Sequence, residues 1–382
     1  MTPASLEMIE RLIHFETVSR NSNLDLIHYV QDYLSTYGVS STLVPNPDGN
    51  KANLYATIGP QKEGGVILSG HTDVVPVDGQ PWSTDPFTVT RKNNRLYGRG
   101  TCDMKSFIAI ALAMVPEFQQ KGLKRPIHLA LSYDEEIGCL GAPSLIAEMV
   151  SRLPPVEAVI VGEPTSMRPV VAHKGIAALK TSVIGHEAHS SQVQRGVSAV
   201  MVAAKLVSFI QEMMDENRRN AEAGCPFVPP YTTLHVGTIK GGTAINIISR
   251  ECEFVWDIRC LPGDDWQHYL HRFNQYAESL LGDMRQISEH STIHTEVFAS
   301  APPLQDQGGS AQTLLTELLG SQEDSVVPLA AEAGQFQEAG YPVVLCGPGS
   351  IDQAHQPDEY IDISQVTACE AMFERLSNHL AQ

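Results

Sequence analysis

At 382 residues the chain is too long for one ordinary core, which predicts two domains, and its 42% hydrophobic and 18% charged residues suit a globular rather than a disordered or membrane protein. A formal net charge of -18 repels phosphate backbones, and the basic run Arg218-Arg219 is preceded by Asp215-Glu216, so nucleic acid is not expected as a partner. The longest apolar run (107–115) is far short of a membrane span, and the first twenty residues have no signal-peptide core. Seven cysteines without a CxxC pair predict reduced thiols, and the expectation is a cytoplasmic protein with no membrane partner.

Between 53 and 175, short β-rich runs (54–58, 66–69, 127–132, 158–161) alternate with helical stretches (106–120, 142–150). That alternation predicts an α/β layered structure with helices covering a parallel or mixed sheet, whose functional residues gather beyond the carboxyl ends of the strands. After Lys174-Gly175 the pattern becomes strand (178–184), helix (197–214), strand (233–239), strand (251–259), helix (266–281) and strand (292–298). This β-α-β-β-α-β order is the ferredoxin-like motif and predicts a small domain at 175–300 inserted into a larger one. Beyond Pro302-Pro303 the first pattern returns (311–319, 342–346, 364–380), so 1–174 and 301–382 are read as two parts of one domain.

Five segments carry chemistry. Ser69-Gly70-His71-Thr72-Asp73 ends an apolar run with a His and an Asp two residues apart. That spacing points both side chains the same way and lets the Asp73 carboxylate orient the His71 imidazole as a metal ligand; a histidine simply hydrogen-bonded at a turn is the alternative. The glycine-rich turn Gly98-Arg99-Gly100-Thr101-Cys102 delivers Asp103 to the start of a helix, where it serves as N-cap, as ligand, or as both. Ser132-Tyr133-Asp134-Glu135-Glu136 closes an apolar strand with three consecutive carboxylates, which require cations or heavy solvation to offset repulsion and desolvation. Val159-Ile160-Val161-Gly162 leads to Glu163 before a proline, and Gly347-Pro348-Gly349-Ser350 leads to a turn-rich stretch containing His355. Together these give two histidines and several carboxylates without a thiolate, a donor set suited to zinc or another first-row divalent ion. A bridging Asp would hold two such ions about 3.5 Å apart, as in two-metal hydrolases.

The motifs SGHTDVVP, GRGTCDM, YDEEIG, VGEPT and GPGSIDQAHQPDEY, spread along essentially the whole chain, resemble those of the M20 metallopeptidase family and, within it, of the acetylornithine deacetylases. The resemblance implies an α/β sandwich catalytic domain with an inserted lid and dimerisation domain. It implies two divalent ions, Zn2+ or Co2+, one held by His71, Asp103 and Glu163 and the other by Asp103, Glu136 and His355. Asp73 then orients His71, and Glu135 is the general base. His189 matches a lid histidine that in related enzymes reaches the neighbouring subunit's active site, which implies a homodimer; the alternative is a surface histidine on a loop, the reading given to nearby His186. Asn246 and Arg259 match lid positions that bind the substrate's carboxylate or backbone, although a surface salt bridge accounts for an arginine equally well.

The implied reaction is hydrolysis of the amide bond of a small N-acyl amino acid, with N2-acetyl-L-ornithine first. Succinyl-diaminopimelate desuccinylase, aminoacylase and dipeptidase activities are alternatives that share the metal site. A catalytically dead relative would be expected to have lost the base or a ligand, and here every matched position is intact. Glu332, in Glu332-Ala333-Gly334-Gln335-Phe336, either attracts the δ-ammonium of ornithine or is a structural acid. Cys102 and Ser106 stand where many relatives carry Ala and Gly, and a thiol beside metals raises the expectation of oxidation sensitivity.

Overall fold

The computed structural model describes residues 1–320 and 323–382. The chain forms two compact units: Met1–Ala172 with Leu304–Val326 and Ala331–Gln382, and His173–Pro303 with Val327–Ala330. Strands are numbered along the chain. The first unit contributes β1 (Ser41–Pro45), β2 (Ala52–Ile58), β3 (Gly65–His71), β4 (Thr90–Lys92), β5 (Arg95–Tyr97), β6 (Ile127–Ser132), β7 (Val156–Pro164) and β8 (Val170–His173). The second holds β9 (Gly175–Ile184), β10 (Thr233–Gly241), β11 (Glu251–Cys260) and β12 (Thr292–Ala301), and the chain then adds β13 (Ser325–Val327), β14 (Val343–Gly347) and β15 (Tyr360–Asp362).

The main sheet has the order β1-β2-β6-β3-β7-β14-β8-β13. Its centre, β6-β3-β7-β14, is parallel, and β1, β2 and β8 run antiparallel to their neighbours. Every residue of β3 and β6 is buried, because helices cover both faces of a parallel core. This is why those strands read in the sequence as continuous apolar runs instead of alternations. The α/β fold expected from the sequence is the fold found, and the parallel arrangement brings four strand ends to one edge.

One helix was expected over 106–120; two are found, Lys105–Ala113 and Val115–Gln120. The break at Met114 precedes Pro116, which has no N–H to continue the first helix and is well placed at the start of the second. Residues 105–112 are all buried, with the helix packed against β3, the N-terminal helix Pro3–Ile13 and the C-terminal helix Ile363–Leu380. Among the described residues no helix is long and apolar enough to cross a membrane, and all seven cysteines are free.

The second unit is a four-stranded antiparallel sheet of order β10-β11-β9-β12 with the long helices Ala199–Arg219 and Trp266–Ile287. β9 alternates buried and half-buried residues along its length, the period-2 signature of a sheet covered on one face. Its core gathers Leu179, Phe254, Trp256 and Phe273, and the buried Trp256 indole donates to Thr181 Oγ1 at 3.0 Å.

Packing in the first unit bears directly on the strand ends. A Cβ added at Gly162 would lie 2.2 Å from ring carbons of Phe107, which is 2% exposed in the main core. Gly162→Ala is therefore expected to lower stability by about 1–3 kcal/mol through overpacking, measured by denaturant unfolding. An unchanged midpoint would show that the Phe107 ring can move aside freely.

Candidate active site

The four parallel strands end at one edge, and each delivers a polar side chain there. β3 closes with His71, β6 runs into Asp134-Glu135-Glu136, β7 carries Glu163, and β14 leads to the turn that holds His355. Asp103 arrives from the loop ahead of the helix Lys105–Ala113. His71 Nε2 lies 3.1 Å from Asp103 Oδ1 and 3.9 Å from Glu163 Oε1. His355 Nε2 lies 3.2 Å from Asp103 Oδ2 and 3.0 Å from Glu136 Oε2. The two oxygens of Asp103 thus face a histidine each, and both triplets, His71-Asp103-Glu163 and Asp103-Glu136-His355, have donor atoms within 4.8 Å of one another.

Glu359, which the sequence reading did not single out, holds the Asp103 loop. Its Oε1 accepts from the backbone N–H groups of Gly100 (3.0 Å), Cys102 (2.8 Å) and Asp103 (3.0 Å), and its Oε2 takes the Arg99 guanidinium at 2.7 Å. Both side chains of that ion pair are 1% exposed. Lys51 is a second omission: its ammonium bonds Asp134 and the carbonyl of Ser19, and so anchors a residue with a left-handed backbone (φ 56) at the head of the Glu135-Glu136 turn. Lys51 has no sequence signature, since an isolated Lys in a loop reads as a solvated charge, and Glu359 lies in the motif 347–360 with nothing local that marks Asp103 as its partner.

Asp73 meets His71 with both its main chain and its side chain. Its backbone carbonyl lies 2.9 Å from His71 Nδ1 and its carboxylate 3.6 Å away. The carboxylate also accepts from Ser19 Oγ (2.7 Å) and from the backbone N–H groups of Glu135 (3.1 Å) and Glu136 (3.3 Å). Asp73 therefore fixes the His71 ring and, through its side chain, the Glu135-Glu136 turn.

Glu332 is 1% exposed and accepts from Ser69 Oγ at 2.6 Å and Ser132 Oγ at 2.7 Å. It thereby ties β3 to β6, the structural one of its two expected roles. Cys102 is 1% exposed, its thiol donates to Ser350 O at 3.2 Å, and burial pushes it well up. A protonated, enclosed thiol does not fit the expectation of oxidation sensitivity.

The remaining expected residues lie in the second unit. His189 bridges to Ile247, and Ser190 N–H donates to Asn246 O at 3.0 Å, which brings the His189 and Asn246 loops together. His189 Nδ1 sits 2.8 Å from Ser191 Oγ. Arg259, near the end of β11, pairs with Asp257 at 3.3 Å.

Electrostatics set the character of the first-unit cluster. Burial pushes Glu135 up to about 8, and the charges of Glu136, Asp103 and Asp73 add to it against His71. Burial and Asp103 push Glu136 up to about 7, and burial with Asp103 and Glu135 pushes Glu163 well up. Hydrogen bonds to Asp103 and Glu136 raise His355 to about 10. Burial works against a charge on both His71 and Asp103, but their mutual contact, with Asp73 and His355, holds the histidine well up and the aspartate down. Glu136 Oε1 and Glu163 Oε1 are buried without a hydrogen-bond partner, one in each triplet. Crowded carboxylates, two histidines and orphaned buried oxygens fit divalent cations, which would supply the missing partners.

A family model described as Peptidase family M20/M25/M40 matches residues 67–379. The chain belongs to that family. It is a metal-dependent hydrolase. The chain is 32% identical over 384 residues to an acetylornithine deacetylase of Photorhabdus laumondii, covering 99% of this chain and 97% of that protein. An acetylornithine deacetylase of Salmonella heidelberg is 35% identical over 391 residues, covering 99% and 98%. Among solved structures, an M20 family metallo-carboxypeptidase from Sulfolobus solfataricus matches with a TM-score of 0.77 at 18% identity over 100% of both chains. A dinuclear metal binding peptidase of the M20 family from Bacillus subtilis matches with a TM-score of 0.66 at 16% identity, covering 98% and 96%. At such identities the likeness is one of fold.

The site's protonation makes a prediction for the metal-free M20 protein. Glu136, Glu135 and His355, at about 7, 8 and 10, bind protons more tightly folded than unfolded, so their contribution is greatest at low pH and is lost as pH rises through those values. The chelated protein is expected to lose thermal stability from about pH 5 to about pH 10, with saturating zinc or cobalt flattening the slope. A pH dependence of Tm that is the same with and without metal would contradict the placement of these groups, since Lys105, His128 and His173, pushed down by burial, oppose them in both forms.

Proposed function

We propose that this enzyme hydrolyses N2-acetyl-L-ornithine to L-ornithine and acetate, a step of arginine biosynthesis in the cytoplasm, at a pair of zinc or cobalt ions. The observation that carries the two-ion reading is Asp103, a single buried carboxylate facing a histidine on each side. The substrate rests on likeness to acetylornithine deacetylases along nearly the whole chain, both units included.

His71, Asp103 and Glu163 would hold one ion, and Asp103, Glu136 and His355 the other. Bound there, the ions supply acidification of a water and polarisation of the amide carbonyl. Glu135 takes the water's proton as the oxygen attacks, keeps it through the tetrahedral stage, and passes it to the departing amine. Its raised affinity for a proton suits that exchange near neutral pH. The Cys139 thiol donates to Glu135 Oε1 at 3.3 Å and Asp73 holds the Glu135 backbone, so the base is fixed from two sides.

In this reading the second unit is an inserted lid and dimerisation domain. His189 of a second copy donates to the oxyanion, and Asn246 and Arg259 engage the substrate's backbone and carboxylate. The loop pairing of His189 with Asn246 supports placing these two together, and an enzyme active as a monomer in sedimentation would remove the dimer from the proposal.

Two outcomes are expected. Glu135→Ala retains metal and fold but loses about 10²–10⁴-fold or more in kcat, and substantial residual turnover would displace Glu135 as the base. Metal-loaded enzyme shows higher kcat/KM on N2-acetyl-L-ornithine than on N-succinyl-LL-diaminopimelate or N-acetyl-L-methionine. Preference for another compound keeps the chemistry and moves the pathway, and no turnover with metal bound would leave a non-catalytic binding protein.

A further inference from the structure

His355 is the least secured of the ligand residues. Its side chain is 52% exposed, against 1% for His71 and 6% for Asp103, and its backbone lies in the left-handed region at φ 63. A non-glycine residue stays there only when its surroundings fix it.

The surroundings are specific. Gln80 Nε2 donates to His355 O at 2.9 Å, Arg99 donates to Gln356 O at 3.3 Å, and Ser83 N–H donates to Asp358 Oδ1 at 2.8 Å. The Gln80 amide cannot be turned over, because its oxygen already accepts from Arg99 (2.6 Å) and from the Trp82 indole (3.0 Å). Arg99 is in turn paired with Glu359, whose other oxygen takes the N–H of Asp103. Hydrogen bonds therefore run unbroken from the carbonyl of His355 through Gln80, Arg99 and Glu359 to the backbone of Asp103. Two members of the second ligand triplet sit at the ends of that chain, and nothing in the hydrolysis itself uses Gln80.

We infer that Gln80 is a positioning residue for His355, holding the His355 turn at a fixed spacing from Asp103 so that the Asp103-Glu136-His355 set is formed before an ion enters it. The inference rests on the two-ion reading. An ordered ligand set loses less on binding, and partners that orient ligands typically carry about 10–100-fold in metal affinity.

The test is a Co2+ titration of the chelated full-length protein, followed by calorimetry and visible absorption, in wild type, Gln80→Glu and Gln80→Ala. His355→Ala serves to identify which binding step belongs to the His355 set. Glutamate keeps the acceptor for Arg99 and Trp82 but has no donor for His355 O, so a role limited to holding Arg99 predicts that Gln80→Glu behaves as wild type. The expected result is an affinity loss of about 10–100-fold at the His355 step in both variants, with the other step and the Tm of the chelated protein unchanged in Gln80→Glu, which keeps the acceptor for Arg99 and Trp82. Wild-type binding of both ions by Gln80→Glu, or equal loss at both steps, overturns the inference while leaving two ions in place. A single ion in wild type overturns the two-ion reading and this inference with it.

Discussion

Repulsion among buried carboxylates governs the first unit. Asp103, Glu136 and Glu163 crowd around two histidines where four apolar strands end, and Glu135 lies beside them. In a poorly screened interior such charges repel strongly, and each is denied its hydration. The protein answers on two sides. In front, the donor atoms converge on positions where cations would sit. Behind, buried cations face the cluster's supports: Arg99 against Glu359, Lys51 against Asp134, and Lys105, fully buried with its ammonium on Phe15 O at 2.7 Å. Burial pushes Lys105 down to about 7, against the pull of Asp73 and Glu359.

The ligands divide by the rigidity of what carries them. His71 and Glu163 sit in central strands packed on both faces, where a residue cannot move without disturbing the core. Asp103 and His355 come from loops, and loops need other means. For Asp103 the means is Glu359, with three backbone N–H groups on one oxygen. For Glu135 and Glu136 it is the Asp73 carboxylate, which takes their N–H groups while it faces His71. A site spread over five segments is thereby held by a few carboxylates whose own work is structural, Asp73, Glu332 and Glu359 among them.

The second unit follows different physics. Its sheet is covered on one face only, so its strands alternate, and its helices show one buried stripe each, such as Tyr269, Phe273, Ala277, Leu281 and Met284 on Trp266–Ile287. Its polar loops hold His189 and Asn246 as neighbours through main-chain bonds, while Ser191 engages Nδ1 of the His189 ring.

Much of this was readable from the sequence. The apolar runs of β3, β6 and β7 between helical stretches announced the α/β sheet, because a strand buried on both faces reads as a continuous apolar run. The His71, Asp103, Glu136, Glu163 and His355 set was readable too, because each follows a strand or a glycine-rich turn and because the motifs resemble a known family. Only tertiary structure decided the rest. Glu359 lies 256 residues from Asp103 and Glu332 lies 263 from Ser69, and no local pattern says that such pairs meet. That the Asp73 carboxylate also takes the backbone of Glu135, 62 residues away, is likewise set by how β3 and β6 lie side by side. Sequence fixes which groups carry charge and which segments are buried; which buried charge faces which partner is set by the packing of segments far apart along the chain.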